Sequence, residues 1–175
     1  MANHPKLPKD NQLNLPHLAA FKSLLQELKT ESPRGKVLIC GAMLDDQLAD
    51  CIMSRLVDHP DVSKLTSSFN APFGTFSSRV IGTLALGIIS PDEYHDLEII
   101  RGIRNDFAHR LGMTFEDQSI RDRCANLQAS AKDYGDVVVG ANGQFTSAAV
   151  CLILNLTNRA HYASQRRLVT ESWPY

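Results

Sequence analysis

Residues 90–111 constrain this chain more than any other stretch. Ser90 is a good helix N-cap, Pro91 suits the first helical position, and Glu93, three residues after Ser90, completes a capping box. Gly112 is a stop signal at the far end. Between them Leu97, Ile100, Ile103, Phe107 and Leu111 recur at three- and four-residue steps, so a helix here turns one face to a core. The other side carries polar groups. Arg101, Arg104, Asn105 and His109 crowd the last turns, and residues 104–109 read Arg-Asn-Asp-Phe-Ala-His. A helix with one apolar face must bury it against other elements, and the rest of the chain offers further helices for that purpose.

Residues 1–14 are polar and broken by proline, as expected of a flexible N-terminal arm. A first helix is expected over 16–29, with Leu18, Phe21, Leu24, Leu25 and Leu28 on its stripe, before Ser32-Pro33-Arg-Gly35 breaks it. A second runs over 36–57, its inward face formed by Val37, Leu38, Leu44, Leu48, Cys51, Ile52 and Leu56. Residues 58–73 read as a connector. A third helix over 75–86 contains Ser77, Ser78, Gly82 and Ala85, small enough for another backbone to come close, and Gly87-Ile-Ile-Ser90 turns it into the fourth as an αα-hairpin. A short fifth helix spans 117–127, capped by Thr114 or by Glu116-Asp117. Val137-Val-Val139 is the one strand-like run. A last helix over 146–168 carries Val150, Ile153, Leu154 and Leu156 and ends in Arg166-Arg167, which complement its dipole. The expectation is an all-α bundle of about six helices in a single domain over 15–175.

Length and charge narrow the function. A chain of 175 residues suits one ordinary domain. A formal net charge of −1 gives no general electrostatic case for wrapping nucleic acid, although a local basic patch is compatible with it. No signal peptide and no apolar run of membrane-spanning length is visible, which points to a cytoplasmic protein without membrane contact. Cys40, Cys51, Cys124 and Cys151 lie far apart in apolar helical contexts, as small buried thiols of a reducing compartment would.

The 104–109 segment supplies what metal-free RNA cleavage requires. The ribose 2′-hydroxyl attacks the adjacent phosphate, so a group must handle protons near neutral pH, and histidine does so. Arginine is always charged and presents a fork of donors to the phosphate oxygens. Asn105, one turn before His109, is placed to orient the imidazole or to donate to substrate. On a straight helix Arg104 and His109 diverge by about 140°. Both address one phosphate only if the last turn is distorted or a two-fold dimer brings two copies together. The structural alternative is simple: cations in a last turn favour the dipole, Asp106 pairs with Arg110, and His109 caps carbonyls.

Arg-Asn-Asp-Phe-Ala-His is similar to the Arg-x4–6-His signature of the HEPN superfamily, helical domains many of which are dimeric, metal-independent ribonucleases. A wider pattern is more specific: Phe73-Gly-Thr-Phe-Ser-Ser-Arg79, Leu86-Gly-Ile-Ile89, Glu93-Tyr-His-Asp-Leu97, Ile103-Arg-Asn-Asp-Phe-Ala-His109 and Thr114-Phe-Glu-Asp117. It resembles the mannitol operon repressor (MltR-type) family over residues 36–127. The resemblance implies an all-helical fold, a homodimer and a place among transcriptional regulators. It brings no helix-turn-helix, and the near-neutral charge argues against direct sequence-specific DNA binding, so regulation is expected through a protein partner. The resemblance also matches Arg79 to a basic position, and Asp45 or Asp46 to an acidic one common in such folds.

Two functions follow from the sequence. One is an MltR-like regulator acting through protein contacts. The other is a HEPN-type endoribonuclease that needs no cofactor, with His109 moving protons, Arg104 clamping phosphate and Asn105 orienting, supported by Asp45, Asp46, Arg79 and Arg101. Asp45, Asp46 and Asp50 do not make a metal site, because only Asp46 and Asp50 share a helix face; Asp45 is placed to pair with an arginine of the third or fourth helix. His95 is expected at the surface. Arg159, His161, Arg166 and Arg167 either extend a phosphate-binding surface or form a solvated helix end. Trp173 docks back on the body or marks a contact surface.

Overall fold

A computed structural model describes residues 16–174. The arm expected over 1–14 lies outside the described residues. The described chain is all-helical, without strands, and its seven α-helices form one bundle. They are α1 (Ala19–Glu27), α2 (Pro33–Arg55), α3 (Lys64–Ser67), α4 (Phe76–Ala85), α5 (Pro91–His109), α6 (Gln118–Ala125) and α7 (Ala141–Ala163).

Local chemistry sets most of the boundaries. Ser32 does more than end the first helix: its hydroxyl accepts from the Gly35 N–H at 3.0 Å and Pro33 takes the first position, so α2 starts three residues before the expected point. At α5 the capping box forms in full. Ser90 Oγ accepts from the Glu93 N–H at 3.2 Å, and Glu93 Oε2 accepts from the Ser90 N–H at 2.8 Å. Thr75 and Ser78 make the equivalent box at α4. Before α6 the cap is reversed: the Asp117 carboxylate accepts from the Thr114 N–H at 2.7 Å and from its hydroxyl at 3.1 Å.

Several expected boundaries are corrected. The connector over 58–73 contains a 3-10 turn (Pro60–Ser63) and the single-turn α3. The Val137 run is no strand; it makes one isolated bridge to Tyr134. α7 begins five residues earlier than expected, which brings Phe145 into the core. It also stops at Ala163, so Arg166 and Arg167 lie beyond its end and Arg167 instead reaches Asp58 at 3.3 Å. Spacing puts Leu111 on the inward face of α5, yet it is 96% exposed. The helix has already ended, because Arg110 is extended at φ −114° and ψ 122° and Gly112 takes φ +75°. Trp173 is exposed rather than docked.

The core is one cluster drawn from α1, α2, α4, α5, α6 and α7. α7 lies along α2 more extensively than any other pair, and α4 and α5 pack on α2 from other sides. Leu44, Leu48 and Ile52 of α2, Leu97, Ile100, Ile103 and Phe107 of α5, and Phe145, Leu152 and Ile153 of α7 are fully buried. Cys40, Cys51 and Cys124 are buried as well, and burial pushes each thiol up to about 12. Cys151 is exposed, against the expectation for all four.

Candidate functional site

The outer face of α5 is bordered on one side by α2 and on the other by α6. Arg104 stands on the α2 border. Gly41 makes room for it: a Cβ at position 41 would lie 2.6 Å from Arg104 Cγ. The arginine stem therefore crosses α2 where that helix has no side chain, and the Arg104 guanidinium donates to Asn105 Oδ1 at 3.2 Å. Asn105 is thus turned to Arg104, not to His109 as the sequence suggested. His109 is the last residue of α5, exposed, with no hydrogen-bond or ionic partner among the described residues. It caps no carbonyl.

The α6 border is closed by charge. Asp106 binds Arg123 through a short charge-assisted hydrogen bond and meets Arg110 at 3.5 Å. The Arg123 hydrogen bond outweighs the opposing effect of burial, and with the charges of Arg123 and Arg110 holds the Asp106 carboxyl below the usual carboxylate range. Arg101 is neutralised along its own helix by Glu98, at 2.6 Å. Arg104 differs from these neighbours in having no carboxylate partner among the described residues.

The other residues singled out fall into place one turn further along α2. Asp45 takes the ion pair with Arg79 at 2.8 Å, while Asp46 is exposed. Arg79 also donates from Nε to the Phe73 carbonyl at 2.9 Å, tying the loop before α4 to α2. Arg101, Arg104, Asn105 and His109 lie within the last three turns of α5, whereas Arg79 and Asp45 bridge α4 and α2. Among the described residues no group of three or more His, Cys, Asp or Glu is arranged to hold a metal. A cleft of about 360 Å³ opens beside this end of α5, lined by Phe107, Met113, Phe115, Arg34 and Asn142, but not by Arg104, Asn105 or His109. His95 is exposed, with its ring Nε2 3.3 Å from the Asn126 carbonyl.

Two residues inside the sequence pattern have structural roles that their spacing does not reveal. Asp96 is buried, and its two carboxylate oxygens accept from the Gln128 and Ala129 N–H groups, each at 2.8 Å. Glu93 serves twice, closing the Ser90 box and binding Arg159 of α7 at 2.7 Å. Burial alone would raise the Glu93 carboxyl, but the hydrogen bonds from Arg159 and from the Ser90 N–H bring it below the usual range. The available sequence signals were a carboxylate on the buried face of a helix at Asp96 and an N3 acid facing a cationic helix end at Glu93.

Among the described residues no helix is long and apolar enough to cross a membrane. Compared with protein-family models, curated proteins and solved structures, the chain matches none.

Proposed function

We propose that this protein is a regulatory protein of the MltR kind, a homodimer that acts through contacts with a protein partner. One observation carries the reading. The charged residues of the family-like pattern are spent on holding the bundle: Arg79 on Asp45, Glu93 on Arg159, Asp96 on the chain after α6. The candidate catalytic trio sits at a helix end, with Asn105 turned to Arg104 and none of the three lining the 360 Å³ cleft beside it. Productive catalysis needs acid–base and cationic groups converging on one reacting atom. A helix surface of separate polar groups beside the exposed Leu111 suits contact with another protein better.

A second reading, the metal-independent endoribonuclease, is favoured by one specific feature. Arg104 and His109 have no carboxylate partner among the described residues, and both reach solvent. A second copy placed across this face could supply the missing half of a site. The deciding experiment incubates labelled single-stranded RNA with the protein in EDTA, alongside Arg104→Ala and His109→Ala, with the oligomeric state followed by light scattering. The regulatory reading expects intact RNA in all three samples. Cleavage by the wild type that both variants lose overturns it in favour of the nuclease.

A further inference from the structure

At the end of the bundle opposite His109, three arginines, from two α-helices and a 3-10 turn, converge on a cleft of about 490 Å³. Arg55 comes from the last turn of α2, Arg159 from α7, and Arg166 from the 3-10 turn (Ser164–Arg166) that follows it. The apolar walls are Leu86 and Ile88, on the α4–α5 turn that Gly87 makes possible at φ +64°, with the ring of Tyr162 alongside. Arg55 is tied to the strap of chain that follows α7. Arg55 donates one guanidinium N–H to the Arg166 carbonyl, and the Leu168 N–H returns to the Arg55 carbonyl at 2.8 Å. Arg167 anchors the same strap on Asp58. Of the four basic residues the sequence places near this end, the fold thus sends Arg159 and Arg166 into the cleft, Arg167 to Asp58, and His161 onto the ring of His17 at 4.4 Å.

Charge in the cleft is unbalanced. Arg159 shares Glu93, but neither Arg55 nor Arg166 has a carboxylate partner among the described residues. Three guanidiniums against one carboxylate leave an excess of two positive charges around a concave, partly apolar space. Its volume lies within the roughly 300–1,000 Å³ of small-molecule sites. Arginine forks match phosphate oxygens, and a phosphomonoester carries close to two negative charges near pH 7. We propose that this cleft is a binding site for a small organic phosphomonoester. Its phosphate lies between Arg55, Arg159 and Arg166, and its organic part rests on Leu86, Ile88 and Tyr162. The site stands apart from the α5 end and does not depend on how that end functions.

Phenyl phosphate is the probe, titrated into the full chain by calorimetry, with inorganic phosphate and phenol beside it. Saturable one-site binding of phenyl phosphate is expected, with weaker binding of inorganic phosphate and none of phenol. Arg166→Ala should weaken it roughly tenfold by removing one charge-assisted contact. The strap survives that change, because Arg55 holds the main-chain carbonyl of residue 166 and not its side chain. Arg121→Ala, on α6, should leave binding unchanged. In the unmutated protein the amide NMR signals of Gly87, Ile88 and Ala163 should shift on titration. The assignment is overturned by no saturation up to ~10 mM, by unchanged affinity in Arg166→Ala, by shifts confined to other regions, or by inorganic phosphate binding as tightly as the ester.

Discussion

Gly41 and Arg104 show how one missing side chain places a functional candidate. Gly41 is buried in the middle of α2, where glycine costs roughly 1 kcal/mol against alanine in helix propensity. Its counterweight is the Arg104 stem, which fills the space a Cβ would take. The contact is with Cγ, near the root of the side chain, so a swing of the guanidinium does not relieve it. Overpacking of this kind costs about 1–3 kcal/mol, more than the propensity gained. Gly41→Ala should therefore lower stability by ~1 kcal/mol in the native sequence. In an Arg104→Ala background the same change should cost at least ~0.5 kcal/mol less, since the 2.6 Å contact with Cγ is gone and only the contact with the residue 104 Cβ, at 3.2 Å, remains to oppose the propensity gain. Urea unfolding of the four proteins measures both. A Gly41→Ala effect of equal size in both backgrounds would falsify the packing argument. The outcome bears on function too, because the direction Arg104 takes from α5 is fixed by this contact.

At the scale of elements, α5 is the hub, and its partners are set by buried polar contacts as much as by its apolar stripe. Asp96 has its carboxylate inside the protein, where it is satisfied by the main-chain N–H groups that follow α6. Hydrogen bonds to a charged acceptor contribute about 1.5–3 kcal/mol, and orphaning two partly buried donors adds to the loss. Asp96→Ala should destabilise by ~3 kcal/mol and speed amide exchange at Gln128 and Ala129 first. Asp92→Ala, exposed in the first turn of the same helix, should do neither. This helix also marks what the sequence made legible. Its start, its inward residues up to Phe107 and its all-helical setting follow from capping chemistry and the 3.6-residue period. Leu111 misleads because its spacing is right while the chain has already left the helix at Arg110. Asp96 escapes this reading because periodicity sorts apolar from polar and says nothing of a carboxylate whose partners lie about thirty residues away in sequence. The same limit applies at the site: spacing puts Asn105 one turn from His109, but only the packing over Gly41 brings Arg104 to Asn105.

Across the whole molecule, α5 is joined to α7 by Glu93–Arg159 and to α6 by Asp106–Arg123, so two carboxylates couple three helices to solution pH. Both are held below their usual range in the fold, which means that the unfolded chain takes up protons more readily than the folded one. Their contribution is then complete above the ordinary carboxylate range and is lost as pH falls through the folded values, beginning below about pH 5. Asp50 works in the opposite sense, since partial burial and the charge of Asp46 raise its carboxyl despite the attraction of Arg79. The net slope therefore mixes signs, and differences between variants separate them. Glu93→Gln and Asp106→Asn should each be less stable than wild type at pH 7, and their unfolding midpoints should depend less steeply on pH as it falls. The curves should converge with wild type at the acid end, where the native carboxylates are also neutral. The double variant should be the flattest. Urea midpoints followed from pH 7 downward test this, and variants that run parallel to wild type throughout would show that neither pair links the helices to protonation.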